Sequence, residues 1–191
     1  MNVWNDRGAA SRRSWLPRLR AALLPVAIVC AADRAAADVP VPRPLLAPVT
    51  PACVSSPFGP RRLSGRPLAG TFHRGIDLPA PAGAAVHAVA AGTIIRVQRR
   101  GVGGLEILVR HPGFVAVYSH LGRVTPAIAN GRRSLAAGEI VGVIGRTGVT
   151  YGTHLYFGMI VDGRPVDPAG FFAVTECGAA ATPQKKMLDS R

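Results

Sequence analysis

The sequence predicts an all-β fold, an antiparallel β-sheet or sandwich with little helix. Two observations predict it, and a third shows that the chain can form a packed core. The 191 residues include 22 Gly and 17 Pro, which disfavour long helices and favour short strands joined by turns. Short apolar stretches alternate with turn signals, and no window carries a sustained helical period. The hydrophobic content of 48% is sufficient for a packed core.

The predicted strands follow one another closely along the chain. They share a β-branched or apolar composition and are bounded by Gly, Pro or Asp. Three turn signals separate pairs of them: Ala91-Gly92, His111-Pro112-Gly113 and Asp162-Gly163. The predicted strands are residues 85–89, 93–97, 105–110, 114–120, 139–144, 154–161 and 164–166.

Residues 1–37 have the pattern of a cleaved signal peptide. Arginines precede an apolar run, residues 21–32, that is too short to span a bilayer, and Ala35, Ala36 and Ala37 offer a small-residue cleavage site. Residues 11–16 also resemble a twin-arginine export signal. The alternative is a short uncleaved anchor. The prediction is a periplasmic or secreted protein that meets the membrane only through its export signal.

The rest of the chain divides into three parts. Residues 38–52 carry prolines at 40, 42, 44, 48 and 51, which predict an extended linker. Residues 53–177 form the predicted domain, and residues 178–191 form a flexible tail. Cys53 and Cys177 stand at the two ends of the domain. In an oxidising compartment they are predicted to form a disulfide, the alternative being two free thiols.

The formal net charge of +13 favours an anionic partner. Wall polymers, membrane surfaces and nucleic acid are all anionic. The alternative is that the positive charge only keeps the chain soluble. The arginines are scattered, without interleaved aromatic residues or a recognisable nucleic-acid module. Nucleic acid is therefore not predicted as a partner.

Five polar side chains are candidates for a functional site: His73, Asp77, His120, His154 and Tyr156. Residues i and i+2 of a strand share a face, so His154 and Tyr156 point the same way. His73 and Asp77 lie four positions apart around Gly75, and imidazole nitrogen and carboxylate oxygen both suit zinc. Taken singly, each of them is equally compatible with an ordinary surface position.

Several motifs, in order, resemble the lysostaphin-like (LytM-type) peptidoglycan metalloendopeptidases over residues 53–172. Three motifs hold candidate site residues: residues 72–77, residues 118–121 and residues 154–157. The other motifs are residues 56–61, 88–92, 138–148 and 166–168.

The resemblance implies the fold called the duplicated hybrid motif, with one zinc ion in a groove on its sheet. It assigns His73 and Asp77 as the first two zinc ligands, and His120 and His154 as catalytic residues beside the zinc-activated water. The family's third ligand is a histidine that falls on Tyr156. A phenol, whose reference pKa is about 10, must lose a proton before it binds zinc, so zinc affinity is expected to be weakened. Gly158 also stands where the family commonly has Glu.

Two functions follow from the resemblance. The first is an exported metalloendopeptidase that hydrolyses peptide bonds of peptidoglycan with zinc-activated water. The alternative is a catalytically degenerate module that binds peptidoglycan or activates a separate wall amidase.

Overall fold

The computed structural model describes residue 41 and residues 44–178. Thirteen strands lie within these residues: β1 Cys53–Val54, β2 Gly59–Pro60, β3 Phe72–His73, β4 Ile76–Pro79, β5 Ala85–His87, β6 Gly92–Arg100, β7 Gly104–His111, β8 Phe114–Val124, β9 Ser134–Leu135, β10 Ile140–Ile144, β11 His154–Val161, β12 Arg164–Val166 and β13 Thr175–Glu176. One short α-helix, Pro126–Ala129, and three 3-10 turns, Pro67–Ala69, Gly101–Gly103 and Ala169–Phe171, complete the elements of this part of the chain.

Nine of these strands form one sheet, whose main path runs β12-β11-β8-β7-β6-β9. β4 pairs with β11, and β10 pairs with both β5 and β8. All pairings in this sheet are antiparallel. The predicted all-β, antiparallel fold with little helix is therefore confirmed.

Alternation along β11 separates the core from the opposite face. Leu155 and Phe157 are fully buried, whereas His154 and Tyr156, which alternate with them, are half-buried. Successive side chains of a strand point to opposite faces, so the apolar pair fixes the direction of the two polar residues. Phe157 also packs edge-on against the buried ring of Tyr118, with the ring centroids 5.2 Å apart. The packing of the core therefore orients the functional face.

The described part of the proline-rich segment lies against the domain. Leu45 and Val49 are buried in the core. The backbone N–H of Leu46 donates to the carbonyl of Val89, and the N–H of His87 donates to the carbonyl of Pro48. Two side chains of the segment predicted as a linker thus contribute to the core of the domain.

The ends of the domain are joined covalently. β1 pairs with β13 in parallel, and Cys53 and Cys177 form a disulfide with an S–S distance of 2.02 Å. The parallel pair is a small sheet separate from the main antiparallel one.

The predicted signal peptide (residues 1–37) and all of the predicted tail except residue 178 lie outside the described residues. Among the residues that are described, no helix has the length and apolar character needed to span a membrane.

Removing the disulfide with Cys53→Ser and Cys177→Ser is expected to lower the free energy of unfolding by up to about 4–5 kcal/mol. The bridge closes a long loop, with a sequence separation of 124, and so restricts the unfolded chain. Denaturant unfolding of the oxidised protein and of the double variant measures the difference. Reductant should destabilise the former and leave the latter unchanged; equal stability of the two proteins would contradict the prediction.

Candidate active site

A cleft of about 810 Å³ lies over the polar face of the sheet. Strands β3, β4, β8 and β11 bring all five candidate residues to it: His73, Asp77, His120, His154 and Tyr156. Exposed apolar side chains stand around the cleft: Leu63, Leu68, Phe72, Val102 and Tyr151. The structure therefore brings together residues that are separated by up to 83 positions in the sequence, from His73 to Tyr156.

Strand register places Asp77 at the centre of the site. Its Cα lies opposite that of Tyr156 in the pairing of β4 with β11. On its other side, the backbone N–H of Asp77 donates to the carbonyl of Ser56 over 3.0 Å. Its side chain is only 16% exposed. Asp77 is thus held by backbone hydrogen bonds on both sides.

One oxygen of Asp77 faces two imidazoles. The Oδ1 atom lies 3.2 Å from Nε2 of His73 and 3.5 Å from Nε2 of His154. The ring of His120 stands beside that of His154, with centroids 4.8 Å apart in an edge-to-face arrangement. One carboxylate oxygen therefore contacts two imidazoles, and the third imidazole packs against one of these two.

The opposite nitrogen of each imidazole is fixed by a backbone carbonyl. The Nδ1 atoms of His73, His120 and His154 lie 3.0, 2.9 and 3.2 Å from the carbonyl oxygens of Pro57, Thr147 and Gly152, respectively. A carbonyl only accepts hydrogen bonds, so each Nδ1 must carry the proton and donate it. In a neutral ring of this tautomer Nε2 carries a lone pair, whereas in a protonated His73 ring Nε2 donates to Oδ1 of Asp77.

Burial and neighbouring charge tune the carboxylate and the imidazole of His154. Burial alone would raise the pKa of Asp77, but the hydrogen bond with His73 and the charges of His154, His73 and Arg61 together lower it. Burial lowers the pKa of His154, and the opposing attraction of Asp77 does not reverse this. Both shifts favour an ionised Asp77 and a neutral His154 at neutral pH.

Arg61 contacts the oxygen of Asp77 that does not face the imidazoles. Its Nη1 lies 3.8 Å from Oδ2 of Asp77 and donates to Oγ of Ser56 over 3.1 Å, while Nη2 donates to the carbonyl of Ala69 over 2.6 Å. The motif containing Arg61 contributed to the family resemblance, but nothing in its composition indicated this ion pair. Only the fold shows that Arg61 turns inward.

His120 has an unusual backbone conformation, with φ = 65°. A non-glycine residue in this left-handed region costs about 1–3 kcal/mol and marks sites where the surroundings impose the geometry. Here the N–H of Gly145 donates to the carbonyl of His120 over 3.0 Å, and Nδ1 of His120 donates to Thr147. An added Cβ at Gly145 would lie 2.4 Å from the backbone of Gly122, so glycine is required for this approach.

Tyr156 lies over two glycines. An ideal Cβ at Gly75 would be 2.8 Å from the Tyr156 ring, and one at Gly158 would be 3.2 Å from its hydroxyl oxygen. Burial and the charges of Asp77 and Glu106 raise the pKa of Tyr156 to about 12. The phenol is therefore neutral at physiological pH, and Gly158 provides the space that its ring occupies.

Glu106 is a further buried carboxylate in the cleft that was not predicted from the sequence. It is 6% exposed, and it accepts hydrogen bonds from Oγ of Ser119 over 2.8 Å and from Nε2 of Gln98 over 2.9 Å. The available signal was a single acidic residue within the apolar strand β7. That position alone does not distinguish a structural carboxylate from a functional one.

The donors present are of the types that bind zinc. Imidazole and carboxylate are normal zinc ligands, and one oxygen of Asp77 lies within 3.5 Å of Nε2 of both His73 and His154. Each imidazole also has the hydrogen-bonded second nitrogen that is usual for ligating histidines. Across the described residues, however, no three His, Cys, Asp or Glu side chains are grouped as a ready-made metal site.

Comparison with known proteins gives a consistent result. Residues 71–168 match the model of Peptidase family M23. The chain is 38% identical over 118 residues to the DD-carboxypeptidase/endopeptidase Mpg of Neisseria meningitidis, and 30% identical over 115 residues to the peptidoglycan DD-endopeptidase ShyA of Vibrio cholerae. Each alignment covers 60% of this chain and 26% of the relative, so the chain spans about a quarter of the length of these curated relatives.

Solved structures show the same similarity. A putative peptidase M23 from Pseudomonas aeruginosa superposes with a TM-score of 0.55 at 29% identity, covering 70% of this chain and 52% of that one. The catalytic domain of lysostaphin from Staphylococcus simulans gives 0.54 at 26% identity, covering 63% of this chain and 91% of that domain.

His120→Gly is expected to be more stable than His120→Ala by about 1–2 kcal/mol, because alanine keeps the cost of the left-handed backbone and glycine removes it. Both variants lack the imidazole, so their comparison isolates the backbone. Denaturant unfolding measures the difference. An alanine variant as stable as the glycine variant would show that the backbone at residue 120 is relaxed.

Proposed function

Because the chain belongs to peptidase family M23, we propose that it is an exported metalloendopeptidase that hydrolyses peptide bonds of peptidoglycan. The observation that carries the proposal is the position of one carboxylate oxygen, Asp77 Oδ1, within 3.5 Å of the Nε2 atoms of both His73 and His154 in an open cleft. The names of the relatives Mpg and ShyA support peptide cross-links of the wall as the substrate class.

His73 and Asp77 are the residues that would hold the zinc ion. When bound, zinc supplies a Lewis acid that polarises the scissile carbonyl and lowers the pKa of water. His73 is positioned for this role because its Nδ1 proton is engaged by Pro57 and its Nε2 points to Asp77. Burial raises the pKa of Asp77, but the hydrogen bond with His73 and the charges of His154, His73 and Arg61 together lower it, and the Arg61 guanidinium lies 3.8 Å from Oδ2.

His120 and His154 are the proposed catalytic residues. With Nδ1 protonated and bound to a carbonyl, each ring has a free Nε2 that can accept a proton from water and later return it to the leaving amine. Fixing Nδ1 prevents the ring from flipping, so the accepting nitrogen stays in the cleft.

The shape and lining of the cleft suit a substrate that is long and partly apolar. Exposed Leu68 and Val102 stand beside it, and the guanidinium of Arg66 lies 5.0 Å above the ring of Tyr151. An extended peptide can lie between such walls, with arginines available to its carboxylates. The net positive charge favours association with an anionic wall.

A second candidate function is a non-hydrolytic module that binds peptidoglycan or activates a separate wall amidase. The observation that favours it is Tyr156, the residue at the family's third ligand position. Its pKa is raised to about 12, so zinc binding there would require removal of a tightly held proton.

Asp77→Asn is expected to reduce release of peptidoglycan fragments by at least about 100-fold, because loss of a ligand should exceed the 10–100-fold cost of losing an outer-shell partner. The assay is digestion of purified wall sacculi with added zinc, followed by mass spectrometry of the soluble fragments. His87→Ala, a histidine outside the cleft, is the matched control and should keep its activity.

The same assay separates the two candidate functions. A wild-type protein that releases no fragments, but stimulates a purified wall amidase equally well with Asp77→Asn, contradicts hydrolysis and supports the module. Fragment release that appears only with Tyr156→His would show that the phenol disables the site.

A further inference from the structure

We propose that Glu106 determines specificity in the cleft by binding a primary ammonium group of the peptide substrate. The inference rests on the proposed function, since it adds a substrate-binding residue to the same cleft. It leaves the proposed roles of the zinc ligands and of the catalytic histidines unchanged. Either an amine-bearing side chain or the amino terminus of a peptide supplies a group of this kind.

Glu106 belongs to a row of polar side chains that crosses the sheet from strand to strand. Asp77 pairs with Tyr156, which in turn pairs with Ser119. Glu106 pairs with Gln98. A hydrogen bond of 2.8 Å from Oγ of Ser119 to Oε1 of Glu106 joins the two halves of the row. All members of the row except Gln98 line the cleft, so the row leads along the cleft from the proposed zinc ligand to Glu106.

The length of this row suits a peptide substrate. Glu106 lies on β7, and β8 and β11 separate β7 from β4, which carries Asp77. Neighbouring strands are about 4.8 Å apart, so the two backbone positions are at most about 14 Å apart. An extended peptide covers that distance in about four residues. A peptide whose scissile bond lies at the proposed zinc site therefore reaches Glu106 with a side chain close to that bond.

The carboxylate of Glu106 is buried and is held in place by neutral donors. It accepts hydrogen bonds from Oγ of Ser119 and from Nε2 of Gln98. An ideal Cβ at Gly103 would overlap Oε1, so the glycine gives the carboxylate its room. A carboxylate has about four acceptor positions, and these two donors leave others available to a group in the cleft.

This buried charge lacks a close cation. Within residues 44–178, the one ion pair of Glu106 joins Oε2 to Nε of Arg100 over 3.8 Å. That distance exceeds hydrogen-bonding range, and the Arg100 side chain is 76% exposed, so water weakens the attraction. Buried charges in proteins are ordinarily paired, because an unpaired one is costly. An ammonium group of the substrate supplies the missing partner.

The neighbouring surface suits the alkyl part of an amine. Val102 is exposed and lines the cleft next to Gly103. A methylene chain that ends in an ammonium group packs along apolar surface while its charged head reaches a polar partner. Val102 and Glu106 together therefore favour an alkyl amine over a carboxylate or a neutral group.

The test compares wall sacculi that keep their free amines with sacculi whose amines have been acetylated and so are uncharged. Binding of the full chain is measured by co-sedimentation at fixed salt, and hydrolysis by mass spectrometry of released fragments. Acetylation makes the sacculi more anionic, so general attraction to this basic chain should increase. We nevertheless expect the wild type to bind the native sacculi about 10–100-fold more tightly, the usual contribution of a hydrogen bond to a charged group.

Three variants assign this preference to Glu106. Glu106→Gln keeps the size of the side chain but removes its charge, and it should bind both preparations equally. Gly103→Ala, which displaces the carboxylate with its charge intact, should reduce the preference as well. Glu139→Gln removes a carboxylate that pairs with Arg132 outside the cleft, and this matched control should keep the wild-type preference. Circular dichroism checks that each variant folds.

Two lysine-containing tetrapeptides, used as competitors of native sacculi, distinguish the two sources of the amine. One is acetylated at its amino terminus and the other at its lysine side chain. The peptide that still competes carries the amine that Glu106 binds, and competition by both shows that either amine fits. Competition by neither overturns the inference.

The outcomes separate this inference from the proposed hydrolysis. Equal binding of both sacculi by the wild type, or a preference retained in folded Glu106→Gln, overturns the inference while fragment release leaves the hydrolysis standing. A preference that depends on Glu106, without release of fragments, supports the inference and overturns the hydrolysis. A wild-type chain that neither binds sacculi nor releases fragments overturns both.

Discussion

The site depends on the buried carboxylate of Asp77. One of its oxygens faces the imidazoles of His73 and His154, and the other faces the guanidinium of Arg61. Such a charge is stable away from water only when it is paired on most sides. The backbone achieves this by holding Asp77 between the strand that carries Tyr156 and the segment that carries Ser56. The backbone pairing of Asp77 therefore positions the carboxylate that contacts the site imidazoles.

Most of the sheet could be predicted from local sequence. Long strands such as β8 and β11 combine apolar composition with turn signals; β11 has the predicted bounds, whereas β8 continues four residues beyond the predicted end, to Val124. Short strands such as β3 and β4 were not predicted, because two to four residues around Gly75 carry too little pattern. β3 and β4 are strands because they pair with β2 and β11, which are distant in the sequence. The burial of Leu45 and Val49 likewise depends on contacts with distant residues.

The family resemblance predicted five candidate residues, which the fold brings to one cleft, but it did not predict their arrangement. Convergence of His73 with His154 is a long-range property that spacing does not reveal. The inward turn of Arg61 and the buried Glu106 were missed for the same reason, since each reads locally as an ordinary charged residue. The contact of the Tyr156 ring with Gly75 and Gly158 likewise could not be seen in the sequence.

The protonation of the three site histidines tests the account most directly. Long-range ¹H–¹⁵N spectra of the histidine-labelled protein, recorded without and with one equivalent of zinc, distinguish the two ring nitrogens. The account predicts that His73, His120 and His154 keep the proton on Nδ1 throughout, and that zinc shifts Nε2 of His73. A proton on Nε2 with a bare Nδ1 at His73 or His154, or zinc binding through Nδ1, would contradict it.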